Sequence, residues 1–327
     1  VCLVLDDRGV TYRELLQRSN RLANALVSLG FKKGEMISVL ASNCLEFFEI
    51  IFGISKAGLC LVPINYRLVA DEVEYIASNS ESSALIFGPQ YASLVEELLP
   101  RLETVKNYIA LGEEAPPWAK SYEELLAGAD ENEPKVKVEE TDLRALGYTS
   151  GTTGFPKGAI VRHTFVPPEV LAEEWGEIGE DDVTLITGPL FHLSHGNFGP
   201  QQLYFGGKCV ILGSFNAEEA LRLIQEHKVT RSFALPTAFN WILGLPEEVR
   251  DKYDLRSVTF LTSAGSPLHR EAKQGLLELF PNAELYDFYG ATEMGVCTNL
   301  NVRKEIHKID SVGHLAFGAE VRIVDDE

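Results

Sequence analysis

Short apolar runs of strand length alternate with segments whose apolar residues recur every three or four positions, through most of the 327 residues. Such a chain is steered toward an α/β fold, because strands joined through helices run parallel and a parallel sheet needs helices over both faces. Leu5-Asp6-Asp7-Arg8-Gly9-Val10 reads as a hairpin turn between two short strands. Thr11-x-x-Glu14 reads as a capping box, followed at helical spacing by Leu15, Leu22, Leu26 and Leu29, with Gly30 placed to end the helix. Met36–Ala41 reads as strand, and Asn43-x-x-Glu46 as the start of a helix with Phe47, Ile50 and Ile54 on one side and Gly58 after its end. Further strands are expected at Leu59–Ile64, Ala84–Phe87, Val183–Thr187, Cys209–Leu212, Arg231–Leu235, Val258–Leu261 and Ala283–Tyr286. Helices are expected at Ala70–Ser78, Ser93–Leu99, Ala217–His227 and Pro267–Phe280. The alternation in Ala319–Val324, with no helix nearby, points to a small antiparallel piece. The expected architecture is stacked, mostly parallel sheets wrapped by helices in two similar lobes, residues 1–130 and 143–301. An acidic connector, 131–142, joins them, and a small β segment begins in 302–327.

Charge narrows the partners. The formal charge is −19, and a chain this acidic is repelled by nucleic acid and by anionic lipid. Two stretches hold most of it. Glu123–Asp142 has eight acidic and two basic residues, and Glu169–Asp182 has seven acidic and none basic. Both read as solvated surface. Between them, Leu143–Pro168 has no Asp or Glu but holds Arg144, Lys157 and Arg162, which makes it the place to look for an anion site. The best apolar run, around Ile50–Ile64, is interrupted by Lys56 and falls short of the ~20 residues that span a bilayer. Val1–Asp7 has neither the basic nor the long apolar region of a signal peptide. Five cysteines without a C-x-x-C pair argue against a disulfide framework or zinc ribbon and favour a reducing, cytoplasmic setting.

The carboxylate-free segment contains Tyr148-Thr149-Ser150-Gly151-Thr152-Thr153-Gly154-Phe155-Pro156-Lys157-Gly158 after a strand-like stretch. Gly151 and Gly154 permit a tight loop whose N–H groups converge on an oxyanion. Thr149, Ser150, Thr152 and Thr153 add hydroxyl donors, and Lys157 a point charge. Composition alone leaves a flexible surface loop equally open. A Walker A loop is excluded, since it needs Gly before the lysine and a hydroxyl after it, where this chain has Pro156 and Gly158.

T-S-G-T-T-G-x-P-K-G resembles the signature loop of the adenylate-forming superfamily, which includes acyl-CoA synthetases, luciferases and peptide-synthetase adenylation domains. Other segments are similar to that family in the right order: Pro189-Leu190-Phe191-His192, Ser263-Ala264-Gly265-Ser266-Pro267-Leu268, Tyr289-Gly290-Ala291-Thr292-Glu293, and Ser311-Val312-Gly313 with Val321–Val324. The resemblance implies ATP bound by Thr149, Ser150, Gly151, Thr152, Thr153, Gly154 and Lys157, with Ala264, Gly265 and Ser266 on the adenine side. It implies Tyr289 stacked on the purine, next to Phe288 and Gly290, and Asp287 accepting from the adenine amino group. Thr292 would meet the α-phosphate and Glu293 would hold Mg²⁺. Lys157, Thr292 and Glu293 would be the catalytic set, and Phe191, His192, Gly265 and Gly290 would line the acyl pocket. His192 and His195 also sit three apart, but no third metal ligand has suitable spacing, so a pocket or packing role is read for them.

The implied reaction joins ATP and a small-molecule carboxylic acid to acyl-adenylate and pyrophosphate, then transfers the acyl group to coenzyme A or a carrier-protein thiol. A homodimer is an allowed assembly. The family pattern continues beyond Glu327 with a T-G-D aspartate, an arginine, a hinge and a mobile C-terminal domain bearing a second lysine. The chain is therefore read as the large N-terminal domain of a longer enzyme, poorly active alone. The competing reading is a catalytically silent nucleotide- or acyl-binding module, and luciferase-like and carrier-loading members share the same motifs.

Overall fold

The computed structural model describes residues 1–149, 154–164 and 176–325. The fold is mixed α/β with two sheets, mostly parallel, and the chain divides into two compact units.

The first unit comprises Val1, Gly9–Phe165 and Leu190–Leu193. Its seven-stranded sheet runs in the order Lys120–Ser121, Asn107–Ala110, Ala84–Phe87, Met36–Leu40, Cys60–Pro63, Leu143–Thr149, Lys157–Arg162. Every neighbouring pair is parallel except the last. The central strands Ala84–Phe87 and Cys60–Pro63 are buried at every residue, as strands covered on both faces must be. The capping box expected at Thr11 is made: its hydroxyl accepts from the Glu14 N–H at 3.2 Å, and the Glu14 carboxylate accepts from the Thr11 N–H at 2.7 Å. That helix, Tyr12–Ser28, ends at Gly30, whose φ of 93° suits glycine. The next helix, Glu46–Lys56, departs from the sequence reading, because no side chain caps its start and Asn43 is used elsewhere. The strands Leu143–Thr149 and Lys157–Arg162 belong to this sheet, whereas the sequence reading opened a second lobe at Leu143.

The second unit comprises Cys2–Arg8, Val166–Pro189 and Ser194–Glu327. Its sheet has nine strands in the order His314–Leu315, Gly295–Asn301, Glu284–Ala291, Phe260–Ser263, Arg231–Ala234, Val183–Ile186, Lys208–Ile211, Leu3–Leu5, with Arg8–Val10 beyond. The pairs from Glu284–Ala291 through Leu3–Leu5 are parallel, and the two pairs on the other side are antiparallel. Helices Ala217–His227, Pro236–Leu243 and Arg270–Leu279 supply Leu221, Ile224, Phe239, Ile242 and Leu276 to one core with Leu185, Val210, Leu261 and Leu285 from the strands. The expected antiparallel piece is two residues long, His314–Leu315, and not Ala319–Val324. There, Val321, Ile323 and Val324 are exposed and form no strand, since alternation without a buried face has nothing to hold it.

The five cysteines form no disulfide, and four are buried. Among the described residues, no helix is long and apolar enough to cross a membrane.

Candidate functional site

In the first unit, the glycine-hydroxyl loop is the connection between two antiparallel strands. Thr149 ends one, Lys157 begins the other, and the two are paired across the ladder. Lys157 is exposed at the loop's end. Among the described residues, no heavy atom lies within 4 Å of the Cβ that Gly154 would carry, and its φ of 150° is one that glycine adopts readily. Ser150, Gly151, Thr152 and Thr153 lie outside the described residues.

Of the Pro189-Leu190-Phe191-His192 segment, Leu190, Phe191 and His192 lie in the same unit, fixed by a residue that the sequence reading assigned to a helix start. Asn43 Oδ1 accepts from the Leu190 N–H at 2.8 Å. The Phe191 ring meets Tyr66 edge-on, with centroids 5.4 Å apart. His192 keeps part of its ring at the surface, while the protein around the rest takes water from it and holds its titration below the usual histidine range. His195, in the second unit, is buried beside Phe233 with centroids 4.7 Å apart. A Cβ on Gly188 would overlap its ring, so glycine is required there by space.

In the second unit, the parallel register sets Ser263 opposite Asp287. Ala264, Gly265 and Ser266 thus leave one strand beside Phe288 and Tyr289 on its neighbour, at the carboxyl end of the sheet where α/β folds take ligands. Gly265 has φ 87°, and Leu235 would press on any Cβ at 3.0 Å. The Ser263 hydroxyl is buried with no hydrogen-bond partner among the described residues. Tyr289 is 54% exposed, while Phe288 and Asp287 before it are buried.

At Tyr289 and Gly290 the ladder with Gly295–Asn301 shifts register. Gly290 lies so close to the opposite strand that a Cβ would overlap the Gly295 carbonyl. Thr292 and Glu293 sit in the turn that closes this hairpin, held by a Met294 N–H to Ala291 carbonyl bond of 3.2 Å. The described residues hold no cluster of three or more His, Cys, Asp or Glu fit to bind a metal alone. Mg²⁺ carried on a polyphosphate needs only one or two carboxylates, and Glu293 is exposed at this turn.

Asp287 has a partner that the sequence reading did not foresee. It is 6% exposed, and Lys273 Nζ lies 2.7 Å from its Oδ2. Lys273 also donates to the Ile309 carbonyl at 2.8 Å. Burial raises the Asp287 pKa, and the lysine offsets part of that rise. The signal for Lys273 is a lysine in register with Leu276 and Phe280 on an otherwise apolar helix face, where an ammonium needs a buried counter-ion.

The family described as AMP-binding enzyme matches residues 1–327. The chain belongs to the AMP-binding enzyme family. The proteins it is similar to include ligases of two kinds. It is 29% identical to the fatty acid–[acyl-carrier-protein] ligase ScoC of Streptomyces coeruleorubidus, over 99% of the chain and 62% of that protein. It is 31% identical to 4-coumarate–CoA ligase of Pinus taeda, over 100% of the chain and 62% of that protein. Among solved structures, it superposes on the anthranilate CoA ligase AuaEII in complex with anthranoyl-AMP with a TM-score of 0.89, at 26% identity, covering 99% of this chain and 63% of that one. This AMP-binding chain therefore spans 62% of the length of both curated relatives. The fold is also similar to the solved N-terminal domain of FACL13 from Mycobacterium tuberculosis, with a TM-score of 0.86 at 28% identity, covering 97% of this chain and 78% of that one.

Proposed function

We propose that this chain is the ATP- and acyl-binding part of a ligase that activates a carboxylic acid as its adenylate and passes the acyl group to a thiol. A carboxylate oxygen of the acid attacks the α-phosphorus of ATP. The bond from that phosphorus to the bridging oxygen breaks, and pyrophosphate leaves. A thiolate then attacks the acyl carbonyl carbon, and AMP departs with the electron pair of the acyl–oxygen bond. The observation that carries this reading is the hairpin of Glu284–Ala291 and Gly295–Asn301. It presents an exposed aromatic face at Tyr289, a backbone free of side chain at Gly290, and a hydroxyl and carboxylate side by side at Thr292 and Glu293.

The work assigned to these residues is positional and electrostatic. Tyr289 offers its face to a purine, with Ala264, Gly265, Ser266, Phe288 and Gly290 around it. Thr149 to Gly154 and Lys157 hold the polyphosphate, and Lys157 offsets its charge. Thr292 donates to the α-phosphate. Glu293 holds Mg²⁺, which supplies charge neutralisation on the polyphosphate when bound. The carboxylate of Asp287, proposed to accept from the adenine amino group, also serves Lys273. Phe191 and His192 take the acid. Coenzyme A is the proposed thiol, and the likeness to ScoC supports a carrier-protein thiol as the second reading.

The test is ATP-dependent pyrophosphate release by the full-length protein over a panel of aliphatic and aromatic carboxylic acids, with coenzyme A and a carrier protein supplied in turn. Release with a subset of the acids supports the proposal. A folded protein that binds ATP and releases no pyrophosphate with any acid is a silent binding module.

A further inference from the structure

The helix Ala70–Asn79 in the first unit carries Tyr75 and Asn79, four residues apart and so on one face. Each reaches a different arm of the glycine-hydroxyl loop. The Tyr148 hydroxyl, one residue before Thr149, donates to Asn79 Oδ1 at 2.7 Å. The Tyr75 hydroxyl donates to the carbonyl of Pro156, one residue before Lys157, at 3.1 Å. The Tyr75 ring also stacks on Phe155, with centroids 4.9 Å apart and planes 24° from parallel. Phe155 is 73% exposed, so this contact is no part of a core; it fastens an otherwise open stretch of backbone.

We propose that Tyr75 is a positioning residue that, with Asn79 on the same face, holds both arms of the loop and so fixes Lys157 for the polyphosphate of ATP. The proposal rests on the reading of this loop as the polyphosphate site. The physical reason is entropy. A loop rich in glycine loses much conformational freedom when it closes on an anion, and that loss weakens binding unless the loop is ordered beforehand. The ladder pairs Thr149 with Lys157, and Tyr75 adds a grip on the two residues just inside the Lys157 end. The helix itself is tied down independently, through Arg101 to Asp71 at 2.5 Å and to Glu74.

The experiment compares Tyr75→Phe, Tyr75→Leu and Arg101→Gln in the full-length protein. It measures KM for ATP, KM for the acid, thermal midpoint, and the rate of tryptic cleavage after Lys157 without nucleotide. Tyr75→Phe keeps the stack and loses the hydrogen bond, and should raise the ATP KM about threefold. Tyr75→Leu loses both and should raise it about tenfold. The acid KM should hold in both variants, and cleavage after Lys157 should quicken in the same order. Arg101→Gln loosens the same helix and should lower the thermal midpoint without either effect. Wild-type ATP KM and wild-type cleavage in Tyr75→Leu would overturn the proposal. So would ATP and acid KM rising together in step with lost stability, which marks a purely structural tyrosine. Should the unmodified protein fail to use ATP, the polyphosphate reading falls, and the cleavage rates still decide whether Tyr75 fixes the loop.

Discussion

The ammonium of Lys273 lies 2.7 Å from a carboxylate oxygen of Asp287, and only 3% and 9% of the two side chains reach solvent. Removing the lysine alone leaves a buried, unpaired carboxylate, which costs about 3–5 kcal/mol. Lys273→Met should therefore be strongly destabilised at pH 7. Lys273→Met combined with Asp287→Leu should recover most of that loss, as replacing both partners of a buried pair does. Urea denaturation of the three proteins checks it, and a double variant as unstable as the single one would refute it.

The same pair has a pH signature. Burial raises the Asp287 pKa, so the folded protein keeps its proton at pH values where the unfolded chain has lost it. Stability linked to this group is fully present below the unfolded value of about 3.9 and is lost as pH rises through the folded value. Without Lys273 the folded value climbs further. The deficit of Lys273→Met should then shrink as pH falls from neutral toward 5, and an equal deficit at both would mean that ionised Asp287 is not its source.

Gly290→Ala puts a methyl group against the Gly295 carbonyl, and backbone on both sides limits how far either strand can give. An overpacked site of this kind costs about 1–3 kcal/mol. Thermal unfolding should show the loss. ATP affinity measured by calorimetry should fall with it, because Thr292 and Glu293 close the same hairpin.

Asn43→Ala removes the acceptor for the Leu190 N–H. A lost neutral hydrogen bond is worth about 1 kcal/mol, or roughly fivefold. In the full-length protein the loss should appear in the KM for the acid, with the ATP KM unchanged. The reverse pattern would separate Asn43 from the acyl side.

Glu293→Gln keeps the shape of the side chain and removes its charge. Turnover should drop on the order of 10²-fold, as when one preorganised electrostatic contact is lost. Near-normal turnover at saturating Mg²⁺ would remove Glu293 from the metal.

Much of the fold was legible because its signals are local. Thr11 with Glu14, the Ala217–His227 helix and the Ala84–Phe87 strand follow from capping chemistry, helical spacing and an unbroken apolar run. What escaped depends on distant partners. Asn43 carries the side chain of a helix cap, yet it serves a backbone N–H 147 residues away, and nothing near it in sequence says so. The helix Leu193–Tyr204 went unread because Pro200, Gly196 and Gly199 mask it; burial of His195, Phe198, Gln202 and Leu203 stabilises it instead. At the site, the motif residues were visible as a string, but the holders were not. Lys273 and Tyr75 lie in ordinary helices, and only the folded chain brings them to Asp287 and Pro156.

The pairing of Leu3 with Cys209 also bears on how the protein is made. This strand finds its neighbour more than two hundred residues later in the chain. At about 5–20 residues per second, Cys2, Leu3, Val4 and Leu5 wait on the order of 10–40 s on the ribosome with no sheet to join. Contacts so far apart in sequence slow folding, so the second unit cannot be finished before Lys208–Ile211 has been made. Lys208–Ile211 is thus the late-arriving partner of Leu3–Leu5, and a nascent chain that stalls before residue 208 leaves Leu3–Leu5 bare for a chaperone or for another copy to pair with.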